Sequence, residues 1–181
     1  MSGPKLVQVS QDLWEMPEPL GIFAGELLRR GRAYYQAFKL LSENDQPDLR
    51  FPTYFLLAHS FEVVLKSYLV AVGTPKKALN RKPLGHDIGS IYSECERNGL
   101  TVAHPLVRPL ANQLTEINSD YDLRYPSGYH LPIAKPSECM PPCDALISAV
   151  STTVGRAKAQ AQLQYATDTR HLQGSKVRWC D

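Results

Sequence analysis

Ala58-His59-Ser60-Phe61-Glu62-Val63-Val64-Leu65-Lys66-Ser67-Tyr68-Leu69 reads as the middle of a long helix with almost no polar face. Pro52 suits the first turn of that helix, because its missing N–H has no intrahelical partner there anyway. The pattern continues to about Val72 and stops at Gly73. A helix this apolar belongs at the centre of a bundle. At about 100° per residue, His59, Glu62 and Lys66 fall on one narrow stripe, bracketed by Phe55 and Val70. That stripe must meet solvent, a partner helix or a cleft.

Helical periodicity extends outward in both directions. From Gly21 to Ser42, Phe23, Leu27, Tyr34, Phe38 and Leu41 recur at helical steps, and Asn44 to Asp48, with Pro47, ends the run. Downstream, Asp87 is a good N-cap, since its carboxylate can accept an orphan backbone N–H. Ile88, Ile91, Tyr92 and Cys95 form the stripe of that third helix, and Asn98-Gly99-Leu100 closes it. A fourth helix is expected from about Pro105 to Ser119, with Leu110, Leu114, Ile117 and Tyr121 on one side and Pro109 disturbing its first turns. Residues 122–142 hold five prolines and no clear period, which predicts an ordered loop. The last helix is expected over Asp144 to Tyr165, where Ile147, Val150, Val154, Ala157 and Ala161 make a narrow packing seam. No useful strand pattern and no internal repeat appears. The expected architecture is all-α, a bundle of about five helices over residues 19–166. An irregular arm (1–18) precedes it and a mobile tail (167–181) follows.

With 181 residues, 43% of them hydrophobic, the chain can close one core without staples. No uninterrupted apolar run reaches the roughly 18 residues of a membrane span, and the N-terminus lacks the pattern of a secretory signal. The expected compartment is the cytoplasm, without membrane association. Cys139 and Cys143 are spaced loosely for zinc, with no second Cys or His pair close by. Cys95, Cys139, Cys143 and Cys180 are therefore expected as reduced thiols. No metal site and no cofactor is expected. A net charge of +2 does not by itself imply a nucleic-acid partner.

Charge distribution says more. Lys76, Lys77, Arg81 and Lys82 share one loop that contains no acid. They could draw phosphates by counterion release, or simply form a solvated surface loop. Glu62 and Lys66 could be a solvent-facing ion pair in the favoured order, or a polar wall. His86, before the capping Asp87, suits a bond to a neighbouring helix or loop. Arg124-Tyr125-Pro126-Ser127-Gly128-Tyr129-His130 places an arginine and a histidine with five residues between them. Arg124 could equally pair with Asp120 or Asp122, or cap the fourth helix at its C-terminus.

The order of these features resembles the HEPN family (higher eukaryotes and prokaryotes nucleotide-binding) over about residues 22–165. HEPN-like domains often carry a Glu followed four residues later by Lys on the central helix, then His-Asp at the next helix start. Glu62, Lys66 and His86-Asp87 match. Active members carry an Arg, four to six residues, then a His, and Arg124 and His130 match that spacing. The resemblance implies binding of RNA or a nucleotide phosphate, and metal-independent endoribonuclease activity. His130 would then take the proton from the attacking 2′-hydroxyl. Arg124 would hold the phosphate and stabilise its developing charge. Glu62, Lys66 and His59 would support the site, and Lys76, Lys77, Arg81 and Lys82 would bind phosphate. A homodimer is expected on the same ground, with the seam of the last helix as a candidate surface. The rival from another class is a non-catalytic protein-interaction module, paired with a protein such as an antitoxin in a toxin–antitoxin or defence system.

Overall fold

The computed structural model describes residues 13–44, 46–82, 84–119, 123, 134–170 and 176–180. Among these residues the architecture is an all-α bundle of five helices. They are α1 (Leu20–Ser42), α2 (Arg50–Ala71), α3 (Ile88–Arg97), α4 (Val107–Ser119) and α5 (Pro136–Asp168). Single 3-10 turns at Pro47–Leu49 and Lys76–Ala78 lie on either side of α2.

α2 is the hub: it packs against α1, α3, α4 and α5. Every residue from Ser60 to Val70 is buried, whatever its polarity. Phe61, Leu57 and Leu65 are fully enclosed, as is Phe38 on α1. The helical stretch Pro47–Ala71 contains an 18-residue window with the mean hydropathy, 1.2, of a membrane span, and 78% of that window is buried inside the bundle. Its apolar surface is thus taken up by the other helices.

α1 and α2 come into close contact at Gly31. Ser60 Oγ donates to Gly31 O at 2.8 Å, so a buried hydroxyl on α2 is satisfied by a carbonyl of its neighbour. A Cβ placed on Gly31 would lie 2.6 Å from Val64 Cγ2 and 3.2 Å from Val64 N. The backbone nitrogen cannot yield as a side chain could.

α3 follows the expected pattern. Asp87 caps it, accepting from Ser90 N at 2.9 Å and from Ser90 Oγ at 2.7 Å, and Gly99, at φ +90°, follows its C-cap. α4 begins at Val107, which places Pro109 within the first turn. There its absent N–H has no intrahelical partner to lose, so the proline is accommodated without disturbance.

α5 departs from expectation. It starts at Pro136 and runs through Pro141 and Pro142, in a stretch whose proline content predicts a loop. A proline inside a helix costs about 3 kcal/mol by losing a bond and crowding a carbonyl. Burial offsets that cost here: Cys139, Pro142, Cys143 and Leu146 lie on one face and enter the core. Two tyrosines fasten the segment, Tyr54 Oη donating to Ala134 O at 2.5 Å and Tyr35 Oη to Met140 O at 3.1 Å. Cys95, Cys139 and Cys143 are free and buried, and burial pushes the Cys139 thiol up to about 11.

The seam on α5 is used within the chain. Val150 and Val154 are enclosed, and Ala157 and Ala161 lie against Gly21 of α1. A second departure is a short parallel pair, β1 (Leu13–Pro17) with β2 (Lys176–Cys180), in register from Leu13↔Lys176 to Pro17↔Cys180. It joins part of the expected arm to part of the expected tail. The sequence shows no alternation long enough to announce it.

The close approach at Gly31 has a measurable consequence. Gly31→Ala should lower unfolding free energy by about 1–3 kcal/mol through overpacking. Gly155→Ala, on an open face of α5 with nothing within 4 Å, should instead raise it by about 0.5–1 kcal/mol. Urea unfolding midpoints at constant m-value report both; equal shifts would contradict the packing described.

Candidate functional site

Glu62 and Lys66, in the polar stripe of α2, are largely shielded from solvent. Glu62 and Lys66 keep only 5% and 9% of their side-chain surface exposed. Lys66 Nζ donates to Glu62 Oε1 at 2.7 Å and to Gly85 O, also at 2.7 Å. The second bond ties α2 to the segment leading into α3. His86 Nδ1 lies 3.2 Å from Glu62 Oε1 and 3.3 Å from Oε2. An ionised carboxylate only accepts hydrogen bonds, so these contacts form when Nδ1 carries the proton. Glu62 therefore holds two donors, one from its own helix and one from 24 positions along the chain. The imidazole itself is 64% exposed.

Glu62 and Lys66 form part of the wall of an open cleft of about 760 Å³. Phe23 and Leu27 of α1 give it an apolar side. The turn after α2 gives it a basic rim at Lys76 and Lys77, and Glu18 closes the edge ahead of α1. In all, three lysines (66, 76, 77) and two glutamates (18, 62) line it.

The expected site residues are distributed unevenly over this geometry. Glu62, Lys66, Lys76 and Lys77 come together at the cleft. Lys76 is committed: its Nζ is 2.8 Å from Glu18 Oε2 and 4.7 Å from the centroid of the Phe23 ring. Lys77, Arg81 and Lys82 are exposed. His59 belongs to a different cluster. Its ring meets Tyr34 edge-on at 4.5 Å and stacks on Phe55 at 5.9 Å, which makes it part of the α1–α2 packing. Arg124 and His130 lie outside the described residues. Among the described residues, no group of three or more His, Cys, Asp or Glu side chains is placed to hold a metal.

Sequence reasoning undervalued two residues. His86 is visible as a residue before a helix cap, but nothing in one dimension pairs it with a carboxylate on another helix. Glu18 sits in what reads as an irregular arm, and its pairing with Lys76 spans 58 positions. Compared with known proteins, the chain matches no family model, no curated protein and no solved structure.

Removing one member of a buried ion pair leaves the other charge stranded. Glu62→Gln should therefore destabilise the fold by about 3 kcal/mol or more. Glu62→Leu combined with Lys66→Leu should recover much of that loss, because no buried charge remains. A double-mutant cycle by chemical denaturation tests the coupling; additive effects would show that the pair carries no interaction energy.

Proposed function

We propose that this chain is a HEPN-like domain that binds RNA or a nucleotide phosphate, and that it cuts RNA without a metal. The observation that carries the binding part is the cleft. Its apolar side offers Leu27 to a base, and Phe23 once Lys76 moves off its ring, while Lys77 stands exposed on its rim. A nucleotide has that same division, an aromatic face at one end and an anion at the other. Arg81 and Lys82, exposed just beyond the rim, can carry the field along a longer strand. The cutting step is assigned to Arg124 and His130 by the motif they make, with His130 as base and Arg124 on the phosphate. Within this proposal the domain acts in the cytoplasm as a homodimer.

One observation favours the rival, a non-catalytic interaction module. Lys66 and Lys76 are already neutralised by Glu62 and Glu18, which lowers the field available to a phosphate.

Salt dependence separates the two. For single-stranded RNA, three phosphate contacts contribute a log–log salt slope of about −2. Reversing Lys77, Arg81 and Lys82 together to Glu should remove that much slope and weaken binding at least tenfold. Fluorescence anisotropy with a labelled single strand measures it. Cutting should persist in a chelator, leave a 2′,3′-cyclic phosphate, and vanish in both Arg124→Ala and His130→Ala. Sedimentation at micromolar protein should show twice the 20.2 kDa chain mass. Salt-independent binding with no cutting by the wild type would leave the interaction module as the better account.

A further inference from the structure

Two ion pairs line the cleft, and the fold holds them with different firmness. Glu62–Lys66 is nearly enclosed, and Gly85 and His86 complete its hydrogen bonds. Glu18–Lys76 keeps 17% and 23% of its side-chain surface exposed. It joins the segment between β1 and α1 to the 3-10 turn that begins at Lys76. Glu18 stands between Pro17 and Pro19, and a following proline keeps its backbone extended. Its side chain, rather than the chain itself, is the part that can swing.

A charge count gives this difference a meaning. Lys66 is matched by Glu62 and Lys76 by Glu18, which leaves Lys77 as the cation of the lining without a carboxylate beside it in the cleft. With Glu18 seated, the cleft therefore offers one positive charge. With Glu18 turned out into water it offers two, on the neighbouring residues Lys76 and Lys77. A phosphodiester carries one negative charge and can use Lys77 alone. To reach Lys76 it must exchange one singly charged anion for another, and the anion already there is held at high effective concentration by the chain. A phosphate monoester carries about −1.5 to −2 at neutral pH. It can hold Lys77 and outcompete Glu18 for Lys76 together. Lys76 Nζ lies 4.7 Å from the centroid of the Phe23 ring, so drawing it toward the phosphate frees an aromatic face for the base.

We propose that Glu18 is an internal competitor seated in the anion subsite of this cleft, and that the ligand which displaces it is a nucleoside phosphate monoester. Lys76 and Lys77 receive the phosphate, and Phe23 receives the base. The inference rests on the nucleotide binding proposed above and needs no cutting step.

Uridine 5′-monophosphate is compared with its methyl ester, which keeps the base and sugar but carries a single charge, by isothermal titration at low salt. Wild-type protein should bind the monoester about fivefold or more tighter than the diester. Glu18→Gln, whose amide has no charge to compete, should tighten the monoester by about fivefold or more; misfolding cannot produce a gain. Glu18→Gln combined with Lys76→Gln removes the pair without changing net charge. It should weaken the monoester about fivefold against wild type and leave the diester within about twofold. A pair that only clamps the two segments together predicts equal changes for both ligands, or none. Either result overturns the inference and leaves nucleotide binding standing. Adding a 5′-phosphate to a labelled single-stranded RNA separates the two sources of a monoester: a gain of about fivefold assigns the subsite to a chain end, and no gain to a free nucleotide. Wild-type protein that binds neither uridine 5′-monophosphate nor the labelled strand overturns nucleotide binding itself, and this inference with it.

Discussion

The Glu62–Lys66 pair inside α2 sets the terms for the rest of the molecule. α2 packs against α1, α3, α4 and α5, so the polar groups of its buried stretch from Ser60 to Val70 must find partners within the chain. A buried ion pair is expensive to desolvate, and attraction between the two charges offsets the penalty only when further hydrogen bonds complete the set. Those bonds come from one short segment: Gly85 supplies a carbonyl to Lys66, and His86 supplies a ring N–H to Glu62. The segment before α3 is therefore held to α2 by its polar groups as well as by the apolar stripe of α3. Asp87, next in line, then caps α3. Three consecutive residues thus translate a charge pair on one helix into the starting point of another.

The elements legible in the sequence are those whose cues are local. α1, α2 and α3 announce themselves by apolar spacing and by caps, and their observed bounds lie close to the expected ones. α5 is misread at its start because proline is a local signal, whereas burial of Cys139, Pro142 and Cys143 is a tertiary fact. The strand pair is hidden for a similar reason. Two short segments at opposite ends of the chain carry little pattern separately and gain their conformation from each other. At the candidate site, spacing along α2 brings Glu62 and Lys66 to notice, but it puts His59 on the same stripe. Only packing shows that His59 is drawn off into an aromatic cluster with Tyr34 and Phe55. His86 reaches Glu62 by the path of the chain between helices, which no periodicity encodes.

Electrostatics at the cleft divides its lysines into two kinds. Lys66 and Lys76 each hold a carboxylate at hydrogen-bond distance, while Lys77 is exposed on the rim. An anion that recruits Lys76 must displace Glu18 and give back part of what it gains. An anion that recruits Lys77 displaces only water. For an anionic ligand an order of engagement would follow: Lys77, with Arg81 and Lys82 beyond it, would govern the long-range approach. Lys76 would contribute only after such a ligand came close enough to compete with Glu18. Because the Lys76 ammonium also lies over Phe23, its movement would uncover the aromatic face on the apolar side of the cleft. Capture of an anion by Lys76 and exposure of the Phe23 ring would in this way be linked.

That linkage bears on how the site and the fold share residues. Glu62 serves two donors at once, and its loss would strand a buried ammonium and release an imidazole in the same event. A change at Glu62 is therefore read first in stability and only second in chemistry. His86 is different: its ring is mostly exposed, and it contributes a single bond to a carboxylate that Lys66 already holds. The fold depends on His86 far less than His86 depends on the fold.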